Sequence, residues 1–239
     1  KGGEEQHSVL LAHDFYTPTD ISADSILFGD RPYSCSFYLQ QSLSDYHVQK
    51  KYAFHTTLTA GIFGPWAQGE LSQRTFHKWS NSPEPHGWNN QIRNDILLNY
   101  RIKFEAAAVS ASWFQIGPSV QLDVGSGLNQ IAASAWFRLG WSQNPFEVFR
   151  EKKFQFYVHG DWQTRGVLYN AFLQGGLINR NSPYVLEFNE VSHLVHKARI
   201  GAYIAVSKIR LGYSLHFLSK EFVGARNHRW AQCELRWNF

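Results

Sequence analysis

The feature that most constrains this chain is one pattern repeated along most of its length. Stretches of about ten residues carry an apolar side chain at every second position and a polar or charged one between. Leu98, Tyr100, Ile102 and Phe104 alternate with Asn99, Arg101, Lys103 and Glu105. Val120, Leu122 and Val124 alternate with Ser119, Gln121 and Asp123, and Ala231, Cys233, Leu235, Trp237 and Phe239 with Gln232, Glu234, Arg236 and Asn238. A period of two is the signature of a strand, because successive side chains leave a pleated backbone on opposite faces. Applied throughout, it predicts strands over His7–Tyr16, Tyr33–Leu43, Lys51–Ile62, Asp95–Glu105, Phe114–Val124, Ile131–Trp141, Phe154–Trp162, Ala198–Val206, Ile209–Leu218 and Asn227–Phe239. Turn residues such as Thr17-Pro18, Gly125-Ser126-Gly127 and Ser207-Lys208 bound them.

What these strands can build follows from their polar faces. A soluble sandwich uses shorter strands and hides the apolar face of each in a core. Here the opposite faces bear Arg101, Lys103, Asp123, Asp161, Arg210 and Glu234, and charges of that density belong in a wet lumen. The expected fold is therefore all-β, a single antiparallel transmembrane β-barrel domain over 1–239 with roughly ten strands. Mean hydropathy is −0.36, and no run approaches the ~18 apolar residues of a membrane helix. Alternating strands average out as polar, so that value suits a barrel equally well. Aromatics make up 16% of the chain, and Tyr52, Tyr100, Trp141, Trp162 and Trp237 are expected near strand ends, where interfacial girdles form. Cys35 and Cys233 lie far apart and are expected as free thiols. The net charge of +4 is too mild to indicate nucleic acid; it suits lipid head groups or simply a slightly basic surface.

One segment, 61–94, breaks the alternation. Gly64-Pro65 ends a strand, and Glu70–Trp79 has neither period two nor an internal Gly or Pro, which predicts a short helix. Gln73 and His77 are four apart and share one face of it. A histidine backed by an amide one turn earlier, on a loop between two strands, suits an oriented general base. A surface helix with a solvated histidine is the commoner meaning of the same residues. His55, His159 and His216 fall on the polar strand faces and are expected to be ordinary lumen residues, as is Asp14.

Several local sequences together resemble the outer-membrane lipid A 3-O-deacylase family. They are Asp14-Phe15-Tyr16-Thr17-Pro18-Thr19-Asp20-Ile21, Asp30-Arg31-Pro32-Tyr33, Gly61-Ile62-Phe63-Gly64-Pro65, Gln73 with His77, Gly87-Trp88-Asn89-Asn90-Gln91, Leu173-Gln174-Gly175-Gly176, Lys220-Glu221-Phe222 and the terminal Phe239. The resemblance implies a barrel of about twelve strands in the bacterial outer membrane. It also implies a calcium-dependent esterase that removes an ester-linked acyl chain from lipid A, the anchor of lipopolysaccharide. By position, His77 matches the histidine that deprotonates the attacking water, and Gln73 an amide of the same site. The acidic residue expected six positions after the histidine is replaced by Pro83, with Glu84 next to it as the nearest substitute. The chain starts at what looks like the family's third strand, so the first two strands, with an Asn-Asp pair that supplies calcium ligands, are expected to be missing. These departures keep a second reading open: a catalytically silent barrel of the same fold, acting as a structural or complex-forming partner. A passive porin would leave the Gln73/His77 helix without a purpose.

Overall fold

A computed structural model describes residues 3–147 and 154–237. Ten long strands follow one another as antiparallel neighbours: β1 (Glu4–Tyr16), β2 (Ser34–His47), β3 (Tyr52–Phe63), β4 (Asp95–Ala106), β6 (Phe114–Gly125), β7 (Leu128–Trp141), β8 (Gln155–Asn170), β9 (Leu194–Val206), β10 (Ile209–Leu218) and β11 (His228–Trp237). A two-residue strand, β5 (Val109–Ser110), adds to β6. The elements match the alternation closely, and Ile209–Leu218 has the expected bounds. The largest difference is β8, which runs on from Trp162 to Asn170. Trp162 therefore lies mid-strand, as does Tyr100 in β4, and neither belongs to an end girdle. Beyond Trp162 the outward positions become Thr164 and Gly166, which hid the continuation from a hydrophobicity pattern. Asn238 and Phe239 lie outside the described residues.

The sheet curls so that its two ends approach each other. Arg31, in the connection after β1, pairs with Glu221, in the connection before β11, at 2.6 Å. Tyr184, between β8 and β9, accepts from the Gly29 amide at 2.8 Å and donates to the Asp30 carbonyl at 3.0 Å. Among the described residues no ladder joins β1 to β11. Most connections at one rim are long (17–33, 64–94, 171–193 and 219–227, with 126–127 a tight turn), whereas at the other 48–51 and 207–208 are tight turns and 107–113 and 142–154 are longer. That asymmetry is typical of outer-membrane barrels.

The concave face is polar and paired across neighbouring strands. Arg101 donates to Asp123 at 2.5 Å, Arg199 to Asp161 at 2.6 Å and Arg210 to Glu234 at 2.9 Å. His55 meets Ser44, His159 meets Arg199, and His216 meets Ser214, so all three histidines are lumen residues. Asp14 accepts from the Tyr38 hydroxyl at 2.6 Å on the same face. The convex face exposes Leu58, Leu98, Val120, Ile131, Ile200 and Leu215. Such a face is stable only against hydrocarbon, which gives this all-β sheet its solvent. No described helix is long and apolar enough to cross a membrane. Both cysteines are free, Cys35 buried and Cys233 exposed.

Two apolar clusters lie on the inner side of the sheet. At the long-loop rim Phe63, Ile92, Leu97 and Ala171 pack with Tyr38, Tyr169 and Phe172. Toward the short-turn rim Trp136 and Phe146 pack with Ala53, their rings 6.0 Å apart.

Candidate functional site

The segment that broke the alternation forms the β3–β4 connection and contains α1 (Gly69–Ser80). Gly64 starts it at φ +89, where a Cβ would stand 2.6 Å from backbone atoms of Arg93 and Asn94. Only glycine fits there, because the two ends of the loop cross at that point. The helix stops at Asn81, which takes the left-handed conformation (φ 53) and turns the chain back. Ser82 then donates its amide to the His77 carbonyl at 2.9 Å.

That return wraps the Ser82–Pro85 stretch around His77. The imidazole Nδ1 lies 2.5 Å from the Pro83 carbonyl oxygen. A carbonyl can only accept, so Nδ1 carries a proton, and the tautomer this selects has its lone pair at Nε2. Nε2 has no partner among the described residues. The ring is thus oriented by a backbone oxygen at the position where a carboxylate was expected.

Gln73 does not orient His77. It is buried, and its Oε1 accepts from Trp88 Nε1 at 2.7 Å. Trp88 is itself fully buried and packs on Tyr33 with ring centroids 4.9 Å apart. An indole N–H enclosed there needs an acceptor, and the amide one turn before His77 supplies it. The Tyr33 hydroxyl donates to the Ile21 carbonyl at 3.2 Å, and burial pushes its phenol above its ordinary range. Glu84 is also drawn elsewhere: its carboxylate lies 3.5 Å from Arg74, which also approaches Glu70 at 3.4 Å. Of the three residues singled out in the sequence, Gln73 is buried on Trp88, Glu84 is an exposed carboxylate paired with Arg74, and His77 presents an open nitrogen. Trp88, Pro83 and Arg74 decide what the three do. The Glu70/Arg74 spacing was legible as an i,i+4 pair; a backbone carbonyl leaves no mark in a sequence.

Among the described residues there is no cluster of carboxylates of the kind that would hold calcium: no three His, Cys, Asp or Glu side chains converge, and Glu84 is held by a cation. Two hollows open at the long-loop rim. A groove of about 350 Å³ lies between Pro65, Gln68, Glu70, Leu71, Arg74 and Gln91. A cleft of about 1120 Å³ lies between the β1 and β11 ends, with Arg31, Arg165, Lys197 and Arg226 in its walls. His77 lines neither.

A family model described as outer membrane protein LpxR matches residues 1–239. LpxR from Salmonella typhimurium has the same fold, with a TM-score of 0.86 at 19% sequence identity, covering 100% of this chain and 86% of that one. Curated protein sequences contain no match to the chain.

Proposed function

The chain belongs to the LpxR family of outer membrane proteins, and on that premise we propose that it is a lipid A deacylase with His77 as its general base. The observation that carries this reading is the held imidazole: Nδ1 is fixed on the Pro83 carbonyl and Nε2 is left open. In the proposed reaction Nε2 takes a proton from water while the water oxygen attacks the carbonyl carbon of the ester. The Pro83 carbonyl keeps the ring in one tautomer and holds the imidazolium that forms. As the tetrahedral intermediate collapses, the ester C–O bond breaks, and the proton on Nε2 passes to the sugar oxygen. The products are a fatty acid and an alcohol. No step is drawn through calcium, because among the described residues no three His, Cys, Asp or Glu side chains converge.

Gln73 supports the reaction from a distance by holding Trp88 and with it the floor under α1. Glu84 is assigned no proton transfer, since its partner is Arg74. That diversion is also the observation that favours a silent barrel. Neither the apolar clusters inside the sheet nor the loop helix serves a passive pore.

Lipid A from outer membranes with and without the protein, compared by mass spectrometry, tests the reading. The expected result is loss of one ester-linked acyl chain with the wild type and none with His77→Ala, with both proteins folded. Deacylation by His77→Ala at the wild-type rate would sink the mechanism. Unchanged lipid A with the folded wild type would leave the silent barrel.

A further inference from the structure

On β2, Phe37 and Leu39 face outward and are half exposed. Cys35 is the next member of that outward set, paired with Phe15 of β1, yet it is completely buried. What covers it is the start of α1. A Cβ on Gly69 would stand 2.5 Å from Cys35 Cβ, and the thiol lies 3.6 Å from the Ala67 carbonyl. Helix α1 therefore does not sit over the lumen, the side of the sheet on which Phe63 and its neighbours pack. It folds down onto the outer wall, directly above the lipid-facing row of Phe15, Phe37 and Leu39.

The two flanks of α1 differ. With 3.6 residues per turn, Gly69 and Gln73 define the buried stripe. On one side of it Leu71, Thr75, Trp79, Ser72 and Phe76 form a contiguous arc without a charge. On the other side lie His77, Glu70, Arg74 and Lys78. The uncharged arc carries three large exposed side chains: Leu71 at 62%, Phe76 at 57% and Trp79 at 82%. Phe76 and Trp79 stand together, their ring centroids 5.9 Å apart.

We propose that α1 lies in the plane of the outer leaflet, with Leu71, Phe76 and Trp79 inserted at the boundary between head groups and acyl chains. The charged flank with Arg74 and Lys78 faces the head groups and water. A helix with one apolar and one basic flank, resting on a wall already in contact with lipid, meets the requirements for interfacial insertion, and tryptophan is a preferred residue at that depth. The occupant of this apolar face is the bilayer itself, as a continuation of the barrel's own lipid belt. His77 is thereby held at the membrane surface. The proposal rests on the membrane location and not on the deacylase reading.

The test uses the folded chain in phosphatidylcholine vesicles, with and without bromine on the acyl chains near the head group. Subtracting the emission of Trp79→Phe from that of the wild type isolates Trp79. The expected difference spectrum is blue-shifted, loses at least half its intensity in brominated vesicles and is little affected by aqueous iodide. A Trp79 signal quenched by iodide and untouched by bromine would overturn the proposal. As a second measurement, Phe76→Ser/Trp79→Ser is expected to speed trypsin cleavage after Arg74 and Lys78 in vesicles by at least tenfold. An unchanged rate would also count against it. Neither readout depends on ester hydrolysis.

Discussion

Replacing Gln73 with leucine separates a structural role for this amide from a catalytic one. The side-chain volume is nearly kept, so the main loss is the acceptor for Trp88 Nε1, now paired at 2.7 Å between two buried side chains. A buried donor left without a partner costs about 1–3 kcal/mol. That cost falls on the docking of the 64–94 loop, because the ladders of β2, β3 and β4 do not involve either side chain. When loop opening is fast relative to cleavage, proteolysis follows the population of the open state. At about 1.4 kcal/mol per decade, the penalty corresponds to roughly 5- to 150-fold faster trypsin cleavage after Arg74 or Lys78. Heat-modifiable migration on gels would report an intact barrel throughout. Adding Trp88→Phe removes the stranded N–H, and a double-mutant cycle should return a coupling of about 0.5–3 kcal/mol. Cleavage of Gln73→Leu within twofold of wild type, or purely additive effects in the cycle, would refute the assignment.

Gly69→Val places a branched side chain where a Cβ already meets Cys35 and Trp88 within 2.7 Å; overpacking of about 1–3 kcal/mol should loosen α1. In a Cys233→Ser background, maleimide should then label Cys35 far faster than in the parent. Val120→Arg puts a charge on the convex face and should destabilise the barrel by about 2–4 kcal/mol if Val120 lies near the bilayer midplane. Gln121→Arg, one residue on and facing Asp123 in the lumen, should cost much less. Unfolding in urea from lipid vesicles compares the two, and equal losses would refute the assignment of faces.

The alternation determined the strands and their faces, since period two is a local property of a pleated backbone and needs no knowledge of neighbours. It put Arg101, Asp123, Arg210 and Glu234 on one face, and the antiparallel register then made them partners. Gly64-Pro65 and the break in alternation placed α1 to within a residue at each end. They also singled out His77. The partners of that histidine were decided by the tertiary structure. Pro83 contributes through its backbone carbonyl, which every residue has, so no side-chain pattern could announce it. Gln73 and Trp88 are 15 residues apart and meet only because the loop closes on itself, while Glu84 goes to Arg74 because the return after Asn81 brings it there. The outward set of β2 included Cys35, but that a helix covers it is a contact between separate elements. Alternation assigns a face to each residue; only the folded loop decides whether lipid or protein meets it.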